Sequence, residues 1–182
     1  MKQNCEPMAG MERGQGRPRQ PLWYSILLLV LVLLVASSPA EADLRIGSAV
    51  PQATIPDVNG GSVRIRERLM GKVALLHFWQ IGCSSCKLEM PAMDTLYTQY
   101  RKKGLEILAV NVGQKKESVQ AFAAELAVSY PLLIDPEQKN ARLLGVTDVP
   151  RTYVIDRNGI VRYRILGGAT TETLKKLILS LL

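Results

Sequence analysis

The stretch Val73-Ala74-Leu75-Leu76-His77-Phe78-Trp79-Gln80-Ile81-Gly82-Cys83-Ser84-Ser85-Cys86 decides how this chain is to be read. Val73 to Phe78 is a continuous apolar run of strand length, the pattern of a strand buried on both faces. The last four residues set two cysteines on either side of two serines, directly before an amphipathic stretch. At a strand-to-helix junction this spacing lets the two sulfurs close into a disulfide, Cys83–Cys86. It also places the first sulfur at a helix N-terminus, where unpaired N–H groups and the macrodipole stabilise a thiolate. A reactive dithiol is expected, with Cys83 attacking and Cys86 resolving.

The other cysteine, Cys5, lies far upstream, so no structural disulfide framework is available. A bridge between residues so close in sequence closes a tiny loop and adds little stability by loop closure, which favours a redox purpose. A structural zinc site wants four ligands, and from residue 43 onward the chain has two cysteines and the single histidine, His77. No metal site and no cofactor are expected.

Working outward, residues 43–72 read as short strands and turns. Val58-Asn59-Gly60-Gly61 signals a turn, and Val63-Arg64-Ile65-Arg66 alternates as a half-buried strand does. Downstream of the dithiol a helix is predicted to about Lys103, with Cys86, Met93, Leu96, Tyr97 and Tyr100 on one face and a kink at Pro91. Leu105 to Val112 reads as a second buried strand and Glu117 to about Ala127 as a helix. Tyr130 to Asp135 is extended, and Gln138 to Leu144 is a short helix stopped by Gly145. Asp156-Arg157-Asn158-Gly159 marks a tight turn between Thr152–Ile155 and Ile160–Ile165. A last helix runs from Thr171, with Thr171 and Thr173 offering a cap and Leu174, Leu177, Ile178 and Leu181 as its apolar stripe. The order is βα, βα, hairpin and helix. That predicts an α/β sandwich, parallel strands first and an antiparallel edge pair last.

At the other end, Lys2, Arg13, Arg17 and Arg19 precede an apolar run from Leu22 to Ala36, broken only by Ser25 and followed by Ala40-Glu41-Ala42. Residues 1–42 read as a signal peptide, with a small-residue cleavage pattern, or as a retained membrane anchor with Trp23-Tyr24 at the interface. Residues 43–182 form the single folded domain and are expected outside the cytoplasmic membrane, in the periplasm or on that membrane's outer face. Of the formal net charge of +7, the leader carries +1. The remaining basic residues are scattered rather than interleaved with exposed aromatics, which argues against a nucleic-acid partner.

The motif after a buried strand, the strand–helix–strand unit and the final hairpin resemble the thioredoxin fold. The likeness is closer to the envelope thiol–disulfide oxidoreductases of the TlpA/ResA/CcmG-like group in the AhpC/TSA-redoxin superfamily. It is carried by Gly71-Lys72-Val73, Phe78-Trp79, Cys83-x-x-Cys86-x-x-Glu89-x-Pro91, Ala109-Val110-Asn111-Val112, Tyr130-Pro131-Leu132, Val149-Pro150 and Tyr153 to Gly159. The resemblance implies a thioredoxin-like fold, a mixed central sheet flanked by helices, with an N-terminal β extension. It implies that Trp79 packs beside the dithiol and shapes a docking groove. It also implies that Pro150 is a cis-proline facing the motif, with Val149 offering its backbone to an extended substrate segment.

Glu89 falls three residues after Cys86, on the same helix face, where a partly desolvated carboxylate can exchange the proton of Cys86. The resemblance supports that role. His77 stands where many thioredoxins carry a buried acid, so it is either a proton shuttle or a hydrogen-bonded core residue. Two departures from the family pattern stand out. Gly82 replaces the usual tryptophan, which should loosen the loop, and Ser85 stands where proline is frequent.

A thiol–disulfide oxidoreductase is therefore expected, most simply a monomeric reductant of disulfide-containing proteins, apocytochrome c among the candidates. It would be recharged by a transmembrane thiol donor and held at the membrane if its leader is uncleaved. A disulfide-inserting oxidase shares every one of these residues. A thiol peroxidase would need a threonine or serine and an arginine about its cysteine, and residues 80–86 lack threonine and arginine. A metal-chaperone module would need more ligands than the domain has.

Overall fold

The computed structural model describes residues 44–182 and the isolated positions Trp23, Leu27 and Leu29. The chain divides into two compact units, Met1–Ala40 and Glu41–Leu182. In the first, the three described residues are helical and exposed. The expected leader otherwise lies outside the described residues, among which no helix is long and apolar enough to cross a membrane.

The second unit opens with a hairpin of β1 (Thr54–Pro56) and β2 (Ser62–Arg64). Asp57 turns it by accepting from the Asn59 N–H at 2.7 Å. Where an alternating strand was expected to continue, Ile65–Leu69 forms a helix, α1. Ile65 and Leu69 are four residues apart and both wholly buried, a helical stripe that overrides the alternation of the preceding pair.

The central sheet holds β3 (Val73–Trp79), β4 (Leu105–Val112), β5 (Leu132–Asp135), β6 (Arg151–Ile155) and β7 (Val161–Leu166), in the spatial order β5-β4-β3-β6-β7. β3, β4 and β5 are parallel, and β6 and β7 run antiparallel. The hairpin is the expected antiparallel pair at one edge of the sheet, with β6 against β3 and β7 outermost. The β1–β2 hairpin is fastened beside β5 by the Val58 N–H to Leu132 O bond, 2.9 Å, so the expected N-terminal β extension is present.

Helices α2 (Ser84–Tyr100), α3 (Lys116–Leu126) and α5 (Thr171–Leu179) pack on one face of the sheet with Val73, Leu75 and Trp79. α1 and α4 (Lys139–Leu143) cover Ala74, Leu76 and Phe78 on the other. This strict alternation of a strand buried on both faces is what its unbroken apolar sequence encodes. Each large side chain so buried contributes about 2 kcal/mol of transfer free energy. α2 runs through Pro91, and Cys86, Met93, Leu96, Tyr97 and Tyr100 form its inward face as expected. The cap of α5 is Thr170, one residue earlier than expected, accepting from the Thr173 N–H at 3.2 Å.

Candidate active site

β3 ends at Trp79 and the chain turns through Gln80–Cys83, where the Cys83 N–H meets Gln80 O at 3.3 Å. Gly82 takes a φ of +93°, open to glycine at little cost. Cys83 is the N-cap of α2, and its Sγ accepts from the Cys86 N–H at 3.2 Å. The first turn of α2 holds no acidic residue, so nothing offsets the positive end of the helix dipole at this sulfur. Cys83 and Cys86 are joined as a disulfide, their Cα atoms 5.3 Å apart. Cys83 is half-buried while Cys86 is 1% exposed, an asymmetry that lets one sulfur meet a partner and keeps the other inside.

Cys86 packs in the same apolar cluster as Trp79, Met90 and Met93. Trp79 is wholly buried and stacked on Phe122, ring centroids 5.4 Å apart. It supports the disulfide from within and does not reach a docking surface. Leu88, on α2 two residues past the motif, is 79% exposed.

Glu89 projects from the inward face of α2, 4% exposed, with neither carboxylate oxygen hydrogen-bonded. Burial pushes its pKa from 4.5 up to about 7, against a weaker downward pull from the Ala169 backbone. Beside it runs a groove lined by Ser85, Leu88, Ala92 and Gly168 to Glu172. The approach there is close, since a Cβ on Gly168 would sit 3.3 Å from Ser85 Cβ.

His77 is wholly buried on the central strand, with Nδ1 2.9 Å from Thr152 Oγ1 of β6 and Nε2 unpartnered. Desolvation lowers its pKa from 6.5 to about 4, so it is neutral at physiological pH. By strand alternation it shares the face that carries Leu75 and Trp79, beneath the dithiol helix.

Val149–Pro150 is a cis peptide bond. Register places it at the dithiol end of the sheet: Arg151 is opposite Phe78, so the residues before it run alongside Trp79 and Gln80. Pro150 is buried, its carbonyl accepting from the Gly167 N–H at 3.0 Å, and Val149 is half-buried.

Two contributors went unread in the sequence. Arg151, 7% exposed, donates to Gly145 O at 2.8 Å and reaches Thr147 Oγ1 and Asp148 Oδ2 at 3.2 and 3.3 Å, bracing the loop before Pro150. Gln114 accepts from the Ile81 N–H at 2.7 Å and from Asn111 Nδ2 at 2.8 Å. The loop after β3 is thus pinned rather than loosened as Gly82 suggested. A polar Asn111 inside an apolar strand was the one available signal. Among the described residues no group of three or more His, Cys, Asp or Glu side chains is placed to hold a metal ion.

Residues 46–164 match the AhpC/TSA family. The thiol–disulfide oxidoreductase ResA of Geobacillus thermodenitrificans is 37% identical over 83% of this chain and 89% of its own length. ResA of Geobacillus kaustophilus is 38% identical over 75% and 78%. Among solved structures, a Chlorobium tepidum protein provisionally assigned as a thiol:disulfide interchange protein DsbE superposes with a TM-score of 0.71 at 30% identity. That match covers 76% of this chain and 98% of the other. StoA of Bacillus subtilis, at 22% identity, TM-score 0.61 and coverage of 71% and 98%, shares the fold. With a half-buried cysteine capping the helix that buries its partner, this chain belongs to the AhpC/TSA family as a thioredoxin-fold thiol–disulfide oxidoreductase of the ResA kind.

Proposed function

We propose that this chain reduces disulfides in protein substrates outside the cytoplasmic membrane, with Cys83 as nucleophile, Cys86 as resolving thiol and Glu89 as proton acceptor. The observation that carries the reading is the stacking of three unlike groups along the start of α2. They are a sulfur at the cap, a sulfur buried one turn in, and a carboxyl pushed to about pKa 7 one turn further. A pKa near the working pH suits a group that must take a proton and give it back.

In the reduced protein, the Cys83 thiolate attacks one sulfur of a substrate disulfide. That S–S bond breaks, a mixed disulfide forms, and the leaving thiolate takes a proton from water. Glu89 then accepts the proton of Cys86. The Cys86 thiolate attacks Cys83 Sγ, the mixed disulfide breaks, and the second substrate sulfur leaves as a thiolate that takes the proton held on Glu89. Two electrons and two protons pass to the substrate, and the protein is left with the Cys83–Cys86 disulfide seen here. Substrate aligns along Val149 and Pro150, with Trp79 holding the disulfide from below. His77 keeps the strand beneath the dithiol uncharged.

Residues 1–42 direct export or anchor the chain, and residues 43–182 act as the catalytic domain. A transmembrane dithiol donor restores the reduced form, and apocytochrome c is one substrate consistent with this placement. Support comes from the apolar run after Arg19 and from the thiol–disulfide oxidoreductases that the chain resembles.

Redox titration of the protein tests the direction. A potential near or below about −270 mV, the thioredoxin range, is expected of a reductant. A potential near about −120 mV is that of a strong oxidant and would make the same residues a disulfide-inserting enzyme.

A further inference from the structure

We infer that Gln114 is a positioning residue for the nucleophile: its side-chain carboxamide holds Ile81, and through Gly82 sets the height at which Cys83 caps α2. The inference rests on the reading of Cys83 as the attacking sulfur. Trp79 opposite Asn111 is the last backbone rung between β3 and β4. Beyond it the two chains are joined by side chains instead. Gln80 Nε2 donates to Val112 O at 2.9 Å. Gln114 Oε1 accepts from the Ile81 N–H at 2.7 Å, and its Nε2 faces Ile81 O at 3.4 Å. One carboxamide thus pairs with both backbone groups of Ile81, as the peptide of a neighbouring strand would, and Asn111 Nδ2 fixes that carboxamide at 2.8 Å.

From Ile81 to the sulfur there are only two residues. Gly82 is in the left-handed region, and the Cys83 N–H closes the turn on Gln80 O at 3.3 Å. The ladder extension therefore ends on the residue that must hold Cys83 Sγ at 3.2 Å from the Cys86 N–H. When the disulfide opens, Cys83 loses its side-chain cross-link to Cys86, and the Gln80 and Gln114 bonds still hold the preceding backbone against the sheet. A thiolate that drifts from the helix end loses the N–H groups and dipole that stabilise it.

The test is the pH profile of iodoacetamide alkylation in the reduced full-length protein, with the modified cysteine located by peptide mass. Gln114→Met keeps the volume and removes the polar atoms. It is expected to raise the apparent pKa of Cys83 by about half a unit and slow alkylation at pH 6 by about threefold. Gln120→Ala is the control. It removes a comparable side-chain bond, Gln120 Nε2 to Val58 O at 3.0 Å, and should leave the Cys83 profile unmoved whatever it does to the melting temperature. If Gln114→Met does not fold, Gln80→Met removes the adjoining rung and carries the same expectation. An unshifted Cys83 profile in a folded variant overturns the positioning role alone. Alkylation of Cys86 ahead of Cys83 in the parent protein removes the nucleophile assignment, and this inference with it.

Discussion

Glu89 and His77 are two buried titratable groups whose effects on stability have opposite signs. Glu89 ionises near 4.5 when unfolded and near 7 when folded, so the native state holds the extra proton between those values. Its contribution makes stability fall as the pH rises from about 4.5 to about 7. His77 protonates near 6.5 when unfolded and near 4 when folded. The unfolded chain holds the extra proton there, so stability rises with pH across that window. At about 1.4 kcal/mol per unit, His77 is worth about 3 kcal/mol over its window, and Glu89, at the wall of its groove, about 2 kcal/mol. From pH 4.5 to 6.5 the two slopes oppose, and the parent protein should show nearly flat stability. Glu89→Gln should expose the rise due to His77, and His77→Asn the fall due to Glu89, in urea denaturation at half-unit pH steps. Flat profiles in both variants would remove the burial argument for either group. The sequence placed Glu89 correctly on the inward face by its three-residue offset from Cys86. It left His77 between two roles, because strand position alone does not reveal that only one ring nitrogen finds a partner.

The elements that position the site differ in how openly the chain writes them. β3 and β4 are continuous apolar runs and were legible without any partner in view. α1 was not, because five residues with two apolar positions read equally well as the end of a strand, and only burial of Ile65 with Leu69 decides between them. Nor was the loop before Pro150, whose shape depends on Arg151 reaching back across it. Arg151→Ala leaves the Gly145 carbonyl and the Thr147–Asp148 pair without their guanidinium and should cost about 2 kcal/mol in denaturant unfolding. The lesion sits at the proposed docking strand and away from the sulfurs. It should therefore raise KM for a protein disulfide severalfold while Cys83 alkylation stays as in the parent. Arg151→Lys should recover little, since one ammonium cannot span acceptors that the planar fork meets together. An unchanged KM in a destabilised Arg151→Ala protein would confine the residue to a structural part.

On the scale of the whole molecule, the chain divides between Ala40 and Glu41. Every buried core residue among those described lies at Leu44 or beyond. The far end is closed by Arg157, which donates to the carbonyls of Gly71, Lys103 and Leu182 and so gathers the start of β3, the end of α2 and the C-terminus. The domain thus holds its own core and ties its own end. A chain of residues 43–182 should unfold in one cooperative transition within about 2 °C of the full-length protein, with the same Cys83 alkylation profile. The apolar run from Leu22 to Ala36 should show itself in a different measurement. Full-length protein should enter the detergent phase in a temperature-induced separation, and residues 43–182 should stay in the aqueous phase. A truncated chain that melts many degrees lower would mean that the first 42 residues complete the core, against the burial pattern. A full-length protein that remains aqueous with its N-terminus intact would end the anchoring reading and leave the catalytic one untouched. Scattered positive charge on the domain cannot stand in for the anchor, because its hold on an anionic surface is screened within about 10 Å at 0.1 M salt.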